Sequence, residues 1–500
     1  VLYGNEGKLS YDMALWVQGD NCEFLKDIFW IVFFVLIILY VELFYITFVR
    51  KWEIQKIFVV LAGTMGILYA VIWSPYACPD EYQHIATAYY YSNDILDSET
   101  VNESGETLLR EKDMRITPNE IITRRHTWSK MGKYWDEVEV NDGEMVSMRW
   151  KPMKDISPVS YFPQIIAIVF TRMLGLGNVV WLILGRILAL SFYIITGYFA
   201  LKYIPFGKRA MFVLMLGPTA IQEAASFSYD SILNSLSFFL VSYMLYMAYK
   251  KEKLSKLDWL YVLMGIVVIT PIKIVYFLLI FLIFLIPNSK ISLAKWKSYA
   301  LKLGIILSGI ITAFLSRGET TSAMLGESMI VNGQEVQGYS MIMFFQKPIQ
   351  IAVLWINTIK ERSVYYLKQI FGGYEAYSKI EISWLVIIGF FLLLLLALIV
   401  EKKEEIIDFK GRSWALIISA GIFCATLLAF NLAKDCTNLT SDCVYGVQGR
   451  YFLPFLPLIF IAIQNKRVIV EKTIQPTIYI GVYCMQFLAI WGIFETVIGR

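Results

Sequence analysis

Residues 73–84 read Trp-Ser-Pro-Tyr-Ala-Cys-Pro-Asp-Glu-Tyr-Gln-His, and a long apolar run ends at the first of them, Trp73. Pro75 and Pro79 prevent a regular helix from continuing, because proline lacks an amide donor and restricts the residue before it. Two adjacent carboxylates, Asp80 and Glu81, follow at the end of the apolar run. Carboxylates just outside a spanning helix must be solvated by water, paired with a cation, or part of a functional site. We interpret this stretch as the start of a functional site.

The composition predicts a membrane protein. Of the 500 residues, 57% are hydrophobic and 17% are charged, and the mean hydropathy is +0.57. A soluble domain carries about 25% charged residues. Several runs reach the roughly 20 apolar residues that span a bilayer, and no stretch shows the alternation of a membrane barrel. We therefore expect an all-α polytopic membrane protein with about 11–12 transmembrane helices, and no nucleic-acid partner.

Basic residues between the apolar runs predict the topology, because Lys and Arg favour the cytoplasmic side. Arg50 and Lys51 close the first run, so residues 74–160 emerge outside. The apolar residues 161–174 are too few for a span, and we interpret them as an interfacial or re-entrant helix. The predicted spans are then about 28–49, 54–73, 178–200, 210–226, 230–249, 258–270, 272–286, 299–315, 382–400, 414–432, 450–464 and 475–496.

This topology divides the chain into an N-terminal segment, 1–53, with one extra transmembrane helix, and a membrane domain, 54–500. The membrane domain carries three outer loops, at residues 74–160, 316–381 and 433–449. We expect the first loop to form a mixed extracytoplasmic subdomain with a helix near 81–92, and the second to contain an amphipathic stretch at 344–370.

Cys436 and Cys443 lie in the third outer loop, where they either pair in an oxidising environment or are two unrelated thiols.

The first candidate site group is Asp80, Glu81 and His84. If a helix begins near Pro79, Asp80 and His84 lie at i and i+4 on one face. The two acids either favour a helix N-terminus or act as a general base. Asp80, Glu81 and His84 are also possible ligands of a divalent cation such as Mg or Mn. Tyr82 is the first of several tyrosines that follow these residues. Tyrosines suit a sugar-binding site, although they are also enriched at membrane interfaces.

Two further candidates are ionisable residues at membrane depth. Asp230 opens a span after a serine-rich turn, so it is either an N-cap or a functional acid. Lys273 lies just after Pro271, between two short apolar runs. A lysine there needs water, an acid or a lipid phosphate as its partner. Arg186, inside a span, needs an acidic or backbone partner and is interpreted as structural.

The last candidate group surrounds Arg450 at the start of a span. Gln448, Gly449 and Tyr451 make this a polar patch. Arg450 is either a snorkelling interfacial arginine or a bidentate clamp for a phosphate or carboxylate.

Two absences limit the chemistry. The sequence has no glycine-rich phosphate loop that ends in Lys-Ser/Thr, and no soluble domain large enough to hold a nucleotide. If the protein is an enzyme, we therefore expect its donor to arrive in the membrane.

The sequence resembles a widespread bacterial family of predicted multi-pass membrane proteins of unknown function. Four motifs in order carry the resemblance, from about residue 54 to the end. They are Pro79-Asp80-Glu81-x-x-His84, Ser228-x-Asp230, Lys273-x-x-Tyr276 and Gly449-Arg450-Tyr451-Phe452-x-Pro454. Residues before 54 are not part of this pattern.

That family is similar to the GT-C superfamily of membrane glycosyltransferases, which carry a catalytic acid in the first large outer loop. The resemblance implies a GT-C-like bundle at the bacterial cytoplasmic membrane with its active site outside. It also implies transfer from a polyprenyl-phosphate-linked sugar donor to a cell-envelope glycan or lipid acceptor, with Asp80, or its neighbour Glu81, as the acid. His84, Tyr82, Asp230, Lys273, Gln448, Arg450 and Tyr451 are then the candidate substrate-binding residues.

Two other functions compete with the transferase. One is a transporter or flippase of lipid-linked saccharides, because transporters also use discontinuous helices and intramembrane charges. The other is a non-catalytic assembly subunit of envelope polysaccharide synthesis, with the charged first outer loop as its docking surface.

Overall fold

The computed structural model of the chain is mostly helical. It describes residues 23–73, 75–76, 78–114, 144–176, 179–315, 328–331, 334–372, 382–402, 404–433 and 436–498. Residues 1–22 and parts of the first two outer loops lie outside this description.

The helices and strands follow in chain order. They are α1 (Glu23–Phe44, continued by a π-helical turn, Tyr45–Val49), α2 (Ile54–Ile72), α3 (Glu81–Ile95), β1 (Leu108–Arg110), α4 (Glu111–Met114), β2 (Met145–Ser147), a 3-10 helix (Pro158–Tyr161), α5 (Phe162–Met173), α6 (Val179–Tyr203), α7 (Lys208–Met215), α8 (Pro218–Ala224), α9 (Asp230–Tyr249), α10 (Lys256–Ile272), 3-10 helices (Ile274–Leu285 and Asn288–Lys290), α11 (Lys295–Leu315), β3 (Ser328–Val331), β4 (Gln334–Gln337), α12 (Met341–Gln346), α13 (Pro348–Ile370), α14 (Trp384–Ala397), β5 (Val400–Glu401), α15 (Phe409–Leu432), a 3-10 helix (Gly449–Phe452), α16 (Leu456–Ile463), β6 (Ile469–Val470) and α17 (Gln475–Ile498).

Within the described residues, seven helices are long and apolar enough to cross a membrane. They are α1, α2, α6, α9, α11, α15 and α17. Each coincides with one of the predicted spans. The chain is therefore an integral, multi-pass, helical membrane protein.

The other five predicted spans are shorter or broken. The predicted span 210–226 is divided at Gly217 into α7 and α8, and Pro218 begins the second piece. The run 258–286 ends as α10 at Ile272 and continues as a 3-10 helix of 12 residues. The last two, near 382–400 and 450–464, hold helices of 14 and 8 residues. Proline at or beside several of these breaks explains why the apolar runs do not become single long helices.

One large apolar core joins the helices, from Val32 in α1 to Phe494 in α17. Phe29 of α1 packs edge-on against Trp491 and Phe494. The extra N-terminal helix therefore shares the core of the bundle.

The described part of residues 74–160, the predicted first outer loop, combines helix and strand. It contains α3 and an antiparallel pair in which Leu108 of β1 lies opposite Ser147 of β2. A second apolar core, around Tyr89 and Trp181, joins this subdomain to α5 and α6. Helix α5 has 12 residues, too few to cross a bilayer, as expected from the sequence.

The second and third outer loops pack against each other. Gly338 pairs with Asn438 in a short bridge, and Thr358 Oγ1 of α13 accepts a hydrogen bond from the Val444 amide at 2.8 Å. Helix α13 confirms the predicted amphipathic stretch. Cys443 is a buried thiol and not part of a disulfide, so the pairing with Cys436 is not formed.

The predicted inner loops also meet. Strands β5 and β6 pair in parallel, with Val400 opposite Ile469. The buried Arg209, at the start of α7, contacts Glu401 at 3.0 Å and Glu404 at 2.6 Å. Charged groups thus join the bundle at the end opposite the first outer loop.

Candidate functional site

Five charged residues from distant parts of the chain form one ion-pair network, which we define as Asp80, Glu223, Asp230, Lys273 and Arg450. Arg450 is at its centre. Its guanidinium lies 3.3 Å from Asp80 Oδ2, 3.3 Å from Asp230 Oδ2 and 3.6 Å from Glu223 Oε1. Lys273 Nζ completes the network by contacting Asp230 Oδ1 at 2.8 Å. The structure therefore unites the four residues that stood out in separate sequence motifs.

Lys273 enters the network because α10 ends at Ile272. Its backbone is extended, with φ −146° and ψ 108°, between α10 and the following 3-10 helix. Its ammonium group lies 4.1 Å from the ring centroid of Tyr451 and 5.1 Å from that of Tyr229. Aromatic faces stabilise a cation that has lost part of its water. The break in the apolar run thus places a lysine beside an acid and two rings.

Arg450 is held by the 3-10 helix Gly449–Phe452. The Gly449 amide donates to Gln369 Oε1 of α13 at 2.7 Å, and the Tyr451 carbonyl accepts from Tyr276 Oη at 2.7 Å. A side chain at position 449 would place its Cβ 2.1 Å from the Tyr366 carbonyl oxygen. Glycine at this position allows α13 to approach the backbone beside the arginine.

Sequence reasoning did not select Glu223. It lies buried in the short helix α8, and its Oε2 accepts a hydrogen bond from Asn234 Nδ2 at 2.7 Å. A lone acid inside the apolar stretch 210–226 was the pattern that could have identified it, because ionisable residues at membrane depth are rare and need partners.

Asp80 and Glu81 are neighbours with opposite surroundings. Asp80 precedes α3 with φ 58° and ψ 13°, in the left-handed region. Aspartate tolerates this region better than most residues. The Asp80 side chain is 45% exposed, whereas Glu81 is fully buried. The backbone turn at Asp80 therefore separates two acids that are adjacent in sequence.

Glu81 does not join the network, because Arg186 of α6 binds it. Arg186 Nη2 lies 3.1 Å from both Glu81 carboxylate oxygens, and its Nη1 donates to the carbonyls of Ala70 and Trp73. Glu81 Oε1 also accepts from the Phe227 amide at 3.2 Å. Arg186 thus has the acidic and backbone partners expected for a structural arginine, and it fixes the end of α2 against the start of α3.

His84 lies buried behind the network. Its Nδ1 is 2.8 Å from Tyr161 Oη and its Nε2 is 3.3 Å from Ser228 Oγ. Burial lowers the pKa of His84 to about 3, so the imidazole is neutral near pH 7. Ser228 Oγ also accepts from the Asp230 amide at 3.1 Å. The histidine therefore orients the turn that carries Asp230.

The remaining predicted site residues take different positions. The Tyr82 ring packs on Trp150 of the outer loop, with ring centroids 3.9 Å apart. Tyr451 lies between Lys273 and Arg450, whose guanidinium carbon is 5.2 Å from its ring centroid. The Gln448 carbonyl accepts from the Tyr451 amide at 3.1 Å. Tyr451 is thus part of the site, and Gln448 belongs to its supporting turn.

The arrangement does not fit the metal group suggested by the sequence. Glu81 is bonded to Arg186, and both His84 nitrogens contact hydroxyl groups. In the described part of the chain, no three His, Cys, Asp or Glu side chains are grouped as metal ligands. The network instead contains three carboxylates and two cations. Its central arginine is buried, and Asp80 is the most exposed of the carboxylates that contact it.

The chain matches a known protein family along most of its length. Residues 63–459 match the sequence model of a family described as "Predicted membrane protein (DUF2142)". The matched region contains all four sequence motifs and the whole ion-pair network. No curated protein and no solved structure matches the chain.

Proposed function

The chain belongs to the DUF2142 family of predicted membrane proteins, and we propose that it is a GT-C-type glycosyltransferase with a GT-C-like bundle of about 11–12 membrane helices. It transfers a sugar from a polyprenyl-phosphate-linked donor to a cell-envelope glycan or lipid. The reaction takes place at the outer face of the bacterial cytoplasmic membrane, where both substrates reach the site from the bilayer or the envelope.

One observation carries this proposal: a half-exposed acid, Asp80, is paired with a buried arginine, Arg450. Of the three carboxylates around Arg450, Asp230 and Glu223 have buried side chains. Asp80 is therefore the carboxylate that an acceptor from outside can reach. A general base must lie within hydrogen-bond reach of the proton that it removes.

The transfer step balances with these residues. Asp80 takes the proton of an acceptor hydroxyl, and the acceptor oxygen forms a bond to the anomeric carbon of the donor sugar. The bond from that carbon to the phosphate oxygen breaks, and the polyprenyl phosphate leaves with the electron pair.

Lys273 and Arg450 supply the positive charge for the departing phosphate. Fixed cations in a site with little water stabilise developing negative charge strongly. Both cations are already paired with carboxylates, so a phosphate must replace one of these contacts. The contact with Asp80 is the one that a phosphate replaces most easily, because Asp80 is the most solvated partner and an exposed ion pair contributes little free energy.

A direct assay tests the proposal. The full chain is reconstituted in lipid nanodiscs and mixed with labelled polyprenyl-phosphate hexoses and an envelope glycan or glycolipid acceptor. We expect label to move to the acceptor and free polyprenyl phosphate to accumulate in equal amount. Release of neither product from a panel of donors, by protein that remains folded, contradicts the proposal.

A transporter or flippase of lipid-linked saccharides is the second candidate. The broken helices favour it, because the short helix α8 supplies Glu223 and the break after α10 supplies Lys273, and transporters bind substrates beside discontinuous helices. Reconstituted vesicles separate the two functions. Movement of a lipid-linked saccharide between leaflets without glycan transfer supports the transporter.

A further inference from the structure

A cavity of about 430 Å³ lies outside the ion-pair network, between the end of the first outer loop and the outer ends of α10 and α11. Its volume is within the range of about 300–1,000 Å³ that is typical of small-molecule sites. It shares no lining residue with the network. Its lining includes Tyr91, Lys154, Asp155, Val267, Val268 and Leu315.

One wall of the cavity is apolar and borders the lipid-facing surface. Val267 and Val268 come from α10, and Leu315 is the last residue of α11. On α11, Leu315 is 83% exposed, and Phe314 and Ile311 beside it are also exposed. Because α11 is a candidate span, this surface meets the acyl region of a bilayer. The apolar wall therefore suits a hydrocarbon chain that enters from the side.

The other wall is polar and carries two opposite charges. Lys154 and Asp155 are adjacent, and both border the cavity. Tyr91 Oη donates to the carbonyl of Ile156 at 2.7 Å, and Lys154 Nζ lies 5.2 Å from the ring centroid of Tyr90. These contacts fix the turn that carries the two charges at the membrane boundary.

We propose that this cavity binds a phospholipid whose headgroup carries both a phosphate and an ammonium group, as phosphatidylethanolamine does. Lys154 faces the phosphate, Asp155 faces the ammonium group, and the apolar wall contacts one chain. A lipid with only a phosphate charge would be attracted by Lys154 and repelled by Asp155 in similar measure, so the paired charges favour the zwitterionic headgroup. This site does not depend on the proposed transferase activity.

Native mass spectrometry of the full chain in detergent tests the proposal. The protein is stripped of lipid and titrated with phosphatidylethanolamine, phosphatidylglycerol, polyprenyl phosphate or inorganic phosphate. We expect one tightly retained phosphatidylethanolamine, bound about fivefold better than phosphatidylglycerol, because a single charge near the membrane surface has an effect of that order.

Charge variants decide which groups recognise the headgroup. Asp155→Lys should reverse the preference in favour of phosphatidylglycerol, and Val268→Trp should reduce retention of every lipid by filling the cavity. Lys151→Glu is the matched control, because Lys151 is exposed on the same segment and does not line the cavity.

Two outcomes overturn the proposal. One is equal retention of the two phospholipids by the wild type and by the Asp155→Lys variant. The other is a clear preference for polyprenyl phosphate, or for free phosphate, that Asp155→Lys leaves unchanged. Because the assay measures binding only, its result is independent of whether sugar transfer is found.

Discussion

Arg450 and Asp80 are separated by 370 positions in the sequence, and Arg450 Nη2 lies 3.3 Å from Asp80 Oδ2. The contact joins the first outer loop to the last third of the chain. Its arginine is buried while its aspartate is half exposed, so the two ends of the ion pair have different access to solvent.

Asp80→Asn should abolish sugar transfer without unfolding the protein. Asparagine tolerates the left-handed backbone of this position and keeps the side-chain size, but it cannot accept a proton as a base. Loss of a general base lowers the rate by about 10²–10⁴-fold. The measurement is the rate of transfer from polyprenyl-phosphate sugar, with the unfolding temperature in detergent as a check of folding.

Asp97→Asn is the matched control for that experiment. Asp97 also has a positive φ, 52° against 58° for Asp80, and it lies in the same outer subdomain outside the ion-pair network. Wild-type transfer by Asp80→Asn would remove Asp80 as the base.

Glu81→Gln should act on stability. It leaves the buried Arg186 without its carboxylate, and breaking a buried ion pair from one side costs about 3–5 kcal/mol. Denaturant or thermal unfolding in detergent measures the loss. The double variant Glu81→Leu, Arg186→Met should recover part of it, since no unpaired charge remains. A stable Glu81→Gln protein that has lost transfer would instead make Glu81 part of the chemistry.

Gly449→Ala should destabilise the protein by about 1–3 kcal/mol, as overpacking of a close contact does. The new Cβ would meet the Tyr366 carbonyl oxygen, a backbone atom that cannot rotate away. Gly304→Ala in α11 is the control, because no atom lies within 4 Å of its added Cβ. That change should be neutral or stabilising by up to about 1 kcal/mol. Equal unfolding midpoints for the two variants would contradict the close approach of α13.

His84 should make the protein less stable in mild acid. Its pKa is lowered from 6.5 to about 3 by burial, so the unfolded chain binds a proton below pH 6.5 that the folded chain does not bind. The free energy of unfolding is therefore unaffected by the titration of His84 above pH 6.5. It falls as the pH is lowered toward 3, by about 2 kcal/mol between pH 6.5 and 5.

Unfolding of the wild type and of His84→Gln, compared between pH 7 and 5, measures this contribution. The comparison cancels the other histidine, His126, which both proteins contain. Parallel pH profiles would show that His84 is protonated equally in the folded and unfolded chains.

The sequence was sufficient to predict the membrane class, a helix near residues 81–92 and twelve spans that include the seven long helices, because apolar length, basic loops and proline are local properties. It also selected Asp80, Asp230, Lys273 and Arg450, since charges at membrane depth are rare. The break near Pro271 was also predicted, and the helix ends there at Ile272. The break at Gly217 was not predicted, because an apolar run has the same composition whether it forms one helix or two pieces.

Partner choice could not be predicted in the same way. Glu81 looked equivalent to Asp80, and only the left-handed turn at Asp80 separates them. An acidic partner was expected for Arg186, but the sequence did not show that this partner is Glu81. Glu223 was not selected, because it lies inside a predicted span. These relationships depend on contacts between residues more than 100 positions apart, which local patterns do not encode.

The central position of Arg450 has a thermodynamic consequence for ligand binding. If an anion binds this guanidinium in place of Asp80, its binding free energy is coupled to the free energy that keeps the first outer loop on the helices. Such coupling is reciprocal. A partner protein or acceptor glycan that draws the loop away from the bundle would raise the affinity for the anion by the same factor by which the anion loosens the loop.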